Sequence, residues 1–260
     1  LRRISCKRIC RPKVTIKDID AQRSSNSGRW MPVPDGLVCS GCTACVKICP
    51  TGAITLKNDR QLVFKYDACI ACRACVDACA PGALVMGPGI DGATSRGALT
   101  HTFSINKLSP NLPEKPQTKD AVIPEKIKIF ARSMHVREVD CGSCNACELE
   151  IAAISNPVYD AERFGIHIVA SPRHADVLFV TGPVTRQMEL ALRKTDAATP
   201  TPKLIVAIGA CACSGGLFGN TPVTGTGVDE FIGVDLYIPG CPPSPRAILR
   251  SILALRSGTI

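Results

Sequence analysis

At 260 residues, 45% of them hydrophobic, the chain is long enough for a sizeable core and for two domains. Its formal net charge of +9 invites a nucleic-acid reading, but only 4% of the residues are aromatic, which leaves little to stack on bases, and no run nears the roughly 18 apolar residues of a membrane span. The 16 cysteines fall in closely spaced groups with no apolar-cored secretory signal before them, so they read as metal or cluster ligands in a reducing, cytoplasmic compartment rather than as a disulfide framework.

Residues 1–36 are a basic, irregular arm, with Arg2, Arg3, Lys7, Arg8, Arg11 and Lys13 beside Leu1, Ile4, Ile9 and Val14. The arm reads as a solvated segment that drapes over a partner; an interfacial helix drawn to anionic lipid is the alternative. Cys6 and Cys10 have no cysteines close by and read as spare thiols.

Residues 37–86 hold an internal repeat with a period of 30 residues. Cys39, Cys42, Cys45 and Cys49 recur as Cys69, Cys72, Cys75 and Cys79, and Gly52-Ala53-Ile54 recurs as Gly82-Ala83-Leu84. In the bacterial two-cluster ferredoxin pattern three cysteines of a run hold one cluster and the fourth reaches across to the other. Cys39, Cys42, Cys45 and Cys79 then hold one [4Fe-4S] cluster, and Cys69, Cys72, Cys75 and Cys49 the second. A pair of zinc sites is the alternative, but zinc takes two separated pairs of ligands and does not require triplets. One departure from the pattern is Cys79-Ala80-Pro81, where an alanine separates cysteine from proline and a looser turn is expected.

Residues 87–125, rich in Pro, Gly, Lys and polar residues and without cysteine, read as an extended, semi-rigid linker. From 126 to 260 short apolar runs alternate with helical patterns. Strands are expected at His135–Val139, Ile166–Ala170, Val177–Thr181, Leu204–Ile208 and Val234–Ile238, and helices at Glu148–Ser155, Thr185–Arg193 and Ser244–Leu255. The last helix starts at a serine N-cap with Pro245 in its first turn. The fold class is therefore α/β: an N-terminal α+β two-cluster ferredoxin domain, then a small doubly wound, flavodoxin-like parallel sheet. In such a sheet the loops leaving the carboxyl ends of strands meet at the switch point. Cys141, Cys144 and Cys147, Cys211, and Cys241 lie in such loops and can share one compact ligand, for which an iron-sulfur cluster is suited. Three oxidised clusters carry roughly −2 each with their thiolates, which brings +9 down to about +3.

The runs Cys141–Glu148 (CGSCNACE), Asp160–Gly165 (DAERFG), Ser171–Asp176 (SPRHAD), Thr181–Arg186 (TGPVTR) and Tyr237–Pro243 (YIPGCPP) together resemble the small subunit of formate hydrogenlyase-type, membrane-bound [NiFe] hydrogenases. That subunit is itself similar to the 20 kDa cluster subunit of respiratory complex I. The resemblance covers residues 134 to about 256; residues 37–86 resemble the ferredoxin-like subunit of the same complexes, here fused to it.

The resemblance implies a proximal [4Fe-4S] cluster held by Cys144, Cys147, Cys211 and Cys241, three clusters in all, with Cys141 as the alternative to Cys144 and Cys213 unassigned. It further implies an electron-transfer subunit without catalytic residues of its own. Its partners would be a [NiFe] large subunit, membrane antiporter-like subunits and an electron-donor module, and it would sit peripherally on the inner face of the cell membrane. A complex I-like subunit serving a quinone-binding partner is the alternative, although complex I places its first two ligands as adjacent cysteines, and a zinc-stabilised scaffold is the third. Arg173 and His174 read either as hydrogen-bond donors to a cluster sulfur or as a loop anchor pairing with Asp176. Glu148 and Glu150 read either as part of a proton path or as acids that complement a helix dipole.

Overall fold

The computed structural model describes residues 31–35, 39–58, 61–87, 89–105, 129–130, 132–219 and 221–260. Residues 1–30 of the basic arm, with Cys6 and Cys10, and residues 106–125 of the expected linker lie outside the described residues, while Met31–Pro34, expected to belong to the irregular arm, form a strand.

The 30-residue repeat builds two matching halves. The first is β1 (Met31–Pro34), α1 (Ala44–Ile48) and β2 (Ile54–Lys57); the second is β3 (Gln61–Lys65), α2 (Ala74–Asp77) and β4 (Leu84–Gly87). β1 runs antiparallel to β4, Met31 opposite Gly87, and β2 runs antiparallel to β3, Ile54 opposite Phe64. The chain therefore closes on itself, first strand to last, with the two short helices packed together between the ribbons. Phe64, Tyr66, Leu84 and Leu99 fill the centre, and the buried Tyr66 hydroxyl donates to the Pro32 carbonyl at 2.9 Å, which satisfies its polar end.

Residues 89–105 depart from the linker expected there. A 3₁₀ turn at Gly97–Leu99 leads into β5 (Thr100–Ser104), the third strand of the β2–β3 sheet, with Lys65 opposite Thr100. Its alternation, His101, Phe103 and Ile105 buried and Thr102 and Ser104 exposed, is the period-2 pattern of a one-sided strand.

The second half is a five-stranded sheet, all parallel: β6 (Met134–Asp140), β7 (Ile166–Ile168), β8 (Val177–Thr181), β9 (Leu204–Ile208) and β10 (Leu236–Ile238), in the order β10-β9-β8-β6-β7. This is the flavodoxin-like order, with its switch point between β6 and β8. β8 and β9 are buried at every residue, as continuous apolar runs covered on both faces require. β10 starts at Leu236 rather than Val234, because Asp235 turns its carboxylate onto the Ile205 amide at 2.9 Å.

On one face α3 (Ala146–Ala153) packs against α6 (Pro245–Ser257), burying Ile151, Ile248, Leu249 and Ile252. The Ser244 hydroxyl accepts from the Ala247 amide at 3.2 Å, so the expected cap forms, and Gly258 at φ +74 ends the helix. On the other face lie α4 (Arg186–Ala198) and α5 (Ala210–Ser214). Leu192 and Ala212 there belong to the same apolar cluster as Phe64 and Tyr66, so one core runs through both halves.

Candidate functional site

The cysteine loops share one local device. In Cys42-Thr43-Ala44-Cys45 and Cys72-Arg73-Ala74-Cys75 the residue after the middle cysteine is left-handed, φ +60 at Thr43 and +70 at Arg73, and a helix starts at the alanine. Cys144-Asn145-Ala146-Cys147 repeats it, φ +68 at Asn145, ahead of α3. A left-handed residue before a helix gathers successive backbone N–H groups on the concave side of the turn, where they favour anionic sulfur. The Ala44 amide, and next the Ser40 hydroxyl, hold Cys42 below the usual thiol range. The Gly41 amide lies 3.5 Å from the Cys39 sulfur.

Cys39, Cys42, Cys45 and Cys79 line one recess, walled by Leu56 and Leu62. Cys49, Cys69, Cys72 and Cys75 line another, against Phe64 and Tyr66. Each fourth cysteine thus crosses to the other half of the repeat. Burial pushes Cys45 up to about 11, with Cys39 and Cys79 the next causes. Burial likewise pushes Cys75 up to about 12, followed by Cys69 and Cys49. The turn at Cys79 is no looser than its counterpart: Gly82 N–H reaches the Cys79 carbonyl at 2.9 Å, against 3.3 Å between Gly52 and Cys49.

A third set forms at the carboxyl ends of β6, β9 and β10. Burial lifts the Cys147 thiol far above its usual range, with Glu148, Cys211, Cys241 and Cys144 adding to it in that order. Cys211 is pushed up to about 11 by burial, then by Cys241 and Cys144. Cys144 and Cys241 thus both bear on Cys147 and Cys211. Glycine makes room for them: Gly209 has φ +93, and a Cβ there would stand 2.5 Å from the Cys147 sulfur. Cys241 also acts on Cys69 of the second recess, which burial pushes up to about 11.

Cys141 stays apart from the set. It is wholly buried in the β6–β8 seam, its amide donating to the Thr181 carbonyl and its carbonyl accepting from the Thr185 amide, both at 3.0 Å. Burial, Asp140 and Glu138 push its thiol up to about 12. Cys213 is also core, its sulfur 3.6 Å from the carbonyls of Ala207 and Ile238.

Arg173 and His174 correct the expectation for them. Both are exposed in the turn entering the N-terminal end of β8, the opposite end of the sheet from the thiols. Asp176, their expected partner, instead accepts from the His135 amide at 2.8 Å and meets His135 Nδ1 at 3.0 Å. Glu148 turns both carboxylate oxygens inward, buried and without a hydrogen-bond partner among the described residues. Glu138, which the sequence did not single out, is raised by burial and then by Glu148. Only its place in β6, beside the cysteine loop, pointed to it.

The donor chemistry of these sets fits iron-sulfur clusters. Each offers four sulfurs, and in each at least one thiol is raised by burial, Cys45 in the first, Cys69 and Cys75 in the second, Cys147 and Cys211 in the third; ionising such buried thiols requires positive charge beside them, which a cluster's iron would supply.

Residues 144–255 match the NADH ubiquinone oxidoreductase 20 Kd subunit family, and residues 38–84 match the 4Fe-4S dicluster domain. The chain is 48% identical over 131 residues to the probable membrane-bound hydrogenase subunit mbhJ of Pyrococcus furiosus, covering 50% of this chain and 78% of that protein. It is 50% identical over 123 residues to formate hydrogenlyase subunit 7 of Escherichia coli, 47% of this chain and 48% of that one. It is 46% identical over 110 residues to an NADH-quinone oxidoreductase subunit of Citrifermentans bemidjiense, 42% of this chain and 64% of that one. With its parallel sheet, its loop-borne thiols and a dicluster domain ahead of them, the chain belongs to the NADH ubiquinone oxidoreductase 20 Kd subunit family of oxidoreductase subunits.

Proposed function

We propose that the chain is the electron-transfer subunit of a membrane-associated hydrogenase complex, relaying electrons through three [4Fe-4S] clusters to or from a [NiFe] large subunit. When bound, such clusters supply one-electron storage at potentials set by hydrogen bonds and solvent exposure. The chain's own residues do the rest. Cys39, Cys42, Cys45 and Cys79, then Cys69, Cys72, Cys75 and Cys49, then Cys144, Cys147, Cys211 and Cys241 hold the three groups. The Ala44 amide favours the ionised form of Cys42, and the apolar walls exclude water.

The observation that carries this reading is the contact between the two halves beside their cysteines: the Ser214 hydroxyl, on the helix that bears Cys211, donates at 2.9 Å to the carbonyl of Asp67 in the loop that leads to Cys69. It joins a ferredoxin-type set to the switch-point set in one path. Hydrogenase relatives, and a C-x-x-C spacing at Cys144 and Cys147, support a nickel-bearing partner. Membrane association is proposed to run through the complex, its antiporter-like subunits and its donor module, since no helix among the described residues is long and apolar enough to cross a membrane.

Metal analysis of the purified chain tests this, with an expected content of about twelve irons and no nickel. The chain should bleach on reduction yet evolve no hydrogen until a large subunit is added. Colourless protein, or hydrogen from the nickel-free chain alone, contradicts the proposal.

A further inference from the structure

The segment between the two halves carries a side-chain cluster that the relay itself does not use. Arg96 lies on it, with three carbonyl or carboxylate partners drawn from both halves of the molecule. Its Nε donates to Asp67 Oδ2 at 3.3 Å, and its Nη1 to both Asp229 oxygens at 3.3 Å and to the Thr226 carbonyl at 3.4 Å. Asp67 is 5% exposed and belongs to the loop that leads to Cys69. Asp229 in turn accepts from the Tyr237 hydroxyl at 3.2 Å, and Tyr237 lies on β10, the strand that delivers Cys241. From the other direction the Ser214 hydroxyl, on the helix that carries Cys211, donates to the Asp67 carbonyl at 2.9 Å.

The backbone joins in. Ala93 and Tyr237 exchange two hydrogen bonds, 2.9 and 2.8 Å, so the segment adds an antiparallel bridge to the edge of β10. Gly92 is required for this approach, since a Cβ there would stand 2.8 Å from the Tyr237 carbonyl. Its amide donates to the Ser251 hydroxyl at 2.8 Å, and Arg250 meets Asp91 at 2.9 Å. The same segment then continues into β5 of the ferredoxin sheet.

We infer that Arg96 is a positioning residue for electron transfer between the two halves, holding the Cys69 loop against the β10 end that bears Cys241. This rests on the proposed relay. A guanidinium suits the task because it sets one permanent positive charge between two carboxylates. Removing it takes the shared donor from Asp67 and Asp229, leaves Asp67 buried without its guanidinium partner, and unties the two halves where the relay needs them close.

The test uses the full chain with its clusters, reduced by a strong low-potential reductant, and compares wild type, Arg96→Ala, Arg96→Lys and Asp229→Asn. Three measurements are made: iron content, the magnetic coupling between reduced clusters, and hydrogen exchange at the Ala93 and Tyr237 amides. Arg96→Ala is expected to keep its iron and each cluster's own signal, to lose most of the coupling between the second and third clusters, and to exchange those two amides at least tenfold faster. Arg96→Lys keeps a cation between the acids and should retain the coupling. Should Arg96→Ala fail to fold, Asp229→Asn removes one arm of the cluster and leaves Arg96 paired with Asp67, and is expected to show the same faster exchange. Unchanged coupling and exchange in Arg96→Ala, or in Asp229→Asn where that stands in for it, overturns the inference. So does a loss in Arg96→Lys as complete as in Arg96→Ala, which assigns the effect to shape rather than charge. A wild-type chain that binds no iron overturns the relay itself, and is read directly from the iron content.

Discussion

Cys141 and Cys144 are three positions apart, and their surroundings differ completely. Cys144 is exposed at the corner of the loop and acts electrostatically on Cys147 and Cys211, whereas Cys141 is wholly buried and feels only Asp140 and Glu138. Cys144→Ala and Cys147→Ala are each expected to abolish hydrogen turnover of the assembled complex and the resonance signal of the third cluster. Cys141→Ala and Cys213→Ala are expected to keep both while lowering stability by about 1 kcal/mol through a small core cavity. An inactive Cys141→Ala beside an active Cys144→Ala reverses the assignment.

At the scale of elements, α1 and α2 are too short to be stable alone, at 5 and 4 residues. They begin at left-handed Thr43 and Arg73, conformations that cost such residues about 1–2 kcal/mol each. That cost is offset only if the turn has something to hold. Each helix is followed by a cysteine, Cys49 or Cys79, that lines the other half's recess, so the two halves are interlocked through these two residues. Cys49→Ala is therefore expected to disturb the cluster of Cys69, Cys72 and Cys75 more than the cluster of its own run. Resonance spectra of the variant check this: loss of the signal of the Cys39, Cys42 and Cys45 cluster with the other intact shows that the halves are not crossed.

At the scale of the whole molecule the two halves draw on different sources of stability. The parallel sheet buries β8 and β9 entirely and is flanked by two helices of 13 residues. The ferredoxin half has short strands, two minimal helices and recesses lined with thiols. Ligands that bind only the folded state stabilise it by mass action, and a small domain depends on them most. Removing iron with a chelator is expected to expose the amides of β2, β3 and β5 to hydrogen exchange while those of β6, β8 and β9 stay protected. Equal protection of both sets after iron removal contradicts this division.

Spacing and periodicity in the sequence carried the repeat, the parallel strands at Val177–Thr181 and Leu204–Ile208, and the Ser244 cap, because each depends on neighbours within one element. β5 was equally legible in its alternation, but the Pro- and Gly-rich residues around it outweighed five positions in a reading by composition. Side-chain partners separated by long stretches of chain were decided only by the tertiary structure. Asp176 took His135 rather than Arg173 or His174 because parallel pairing of β6 and β8 brings His135 beside the entry to β8. Which of three thiols in seven residues turn toward Cys211 and Cys241 depended on the loop after β6, where Asp140 accepts from the amides of Gly142 and Ser143 and Gly182 fits against their backbone. Arg96 is the clearest case: its partners Asp67 and Asp229 lie 29 and 133 positions away in opposite directions along the chain, and only the docking of two separately encoded halves brings them within reach of one guanidinium.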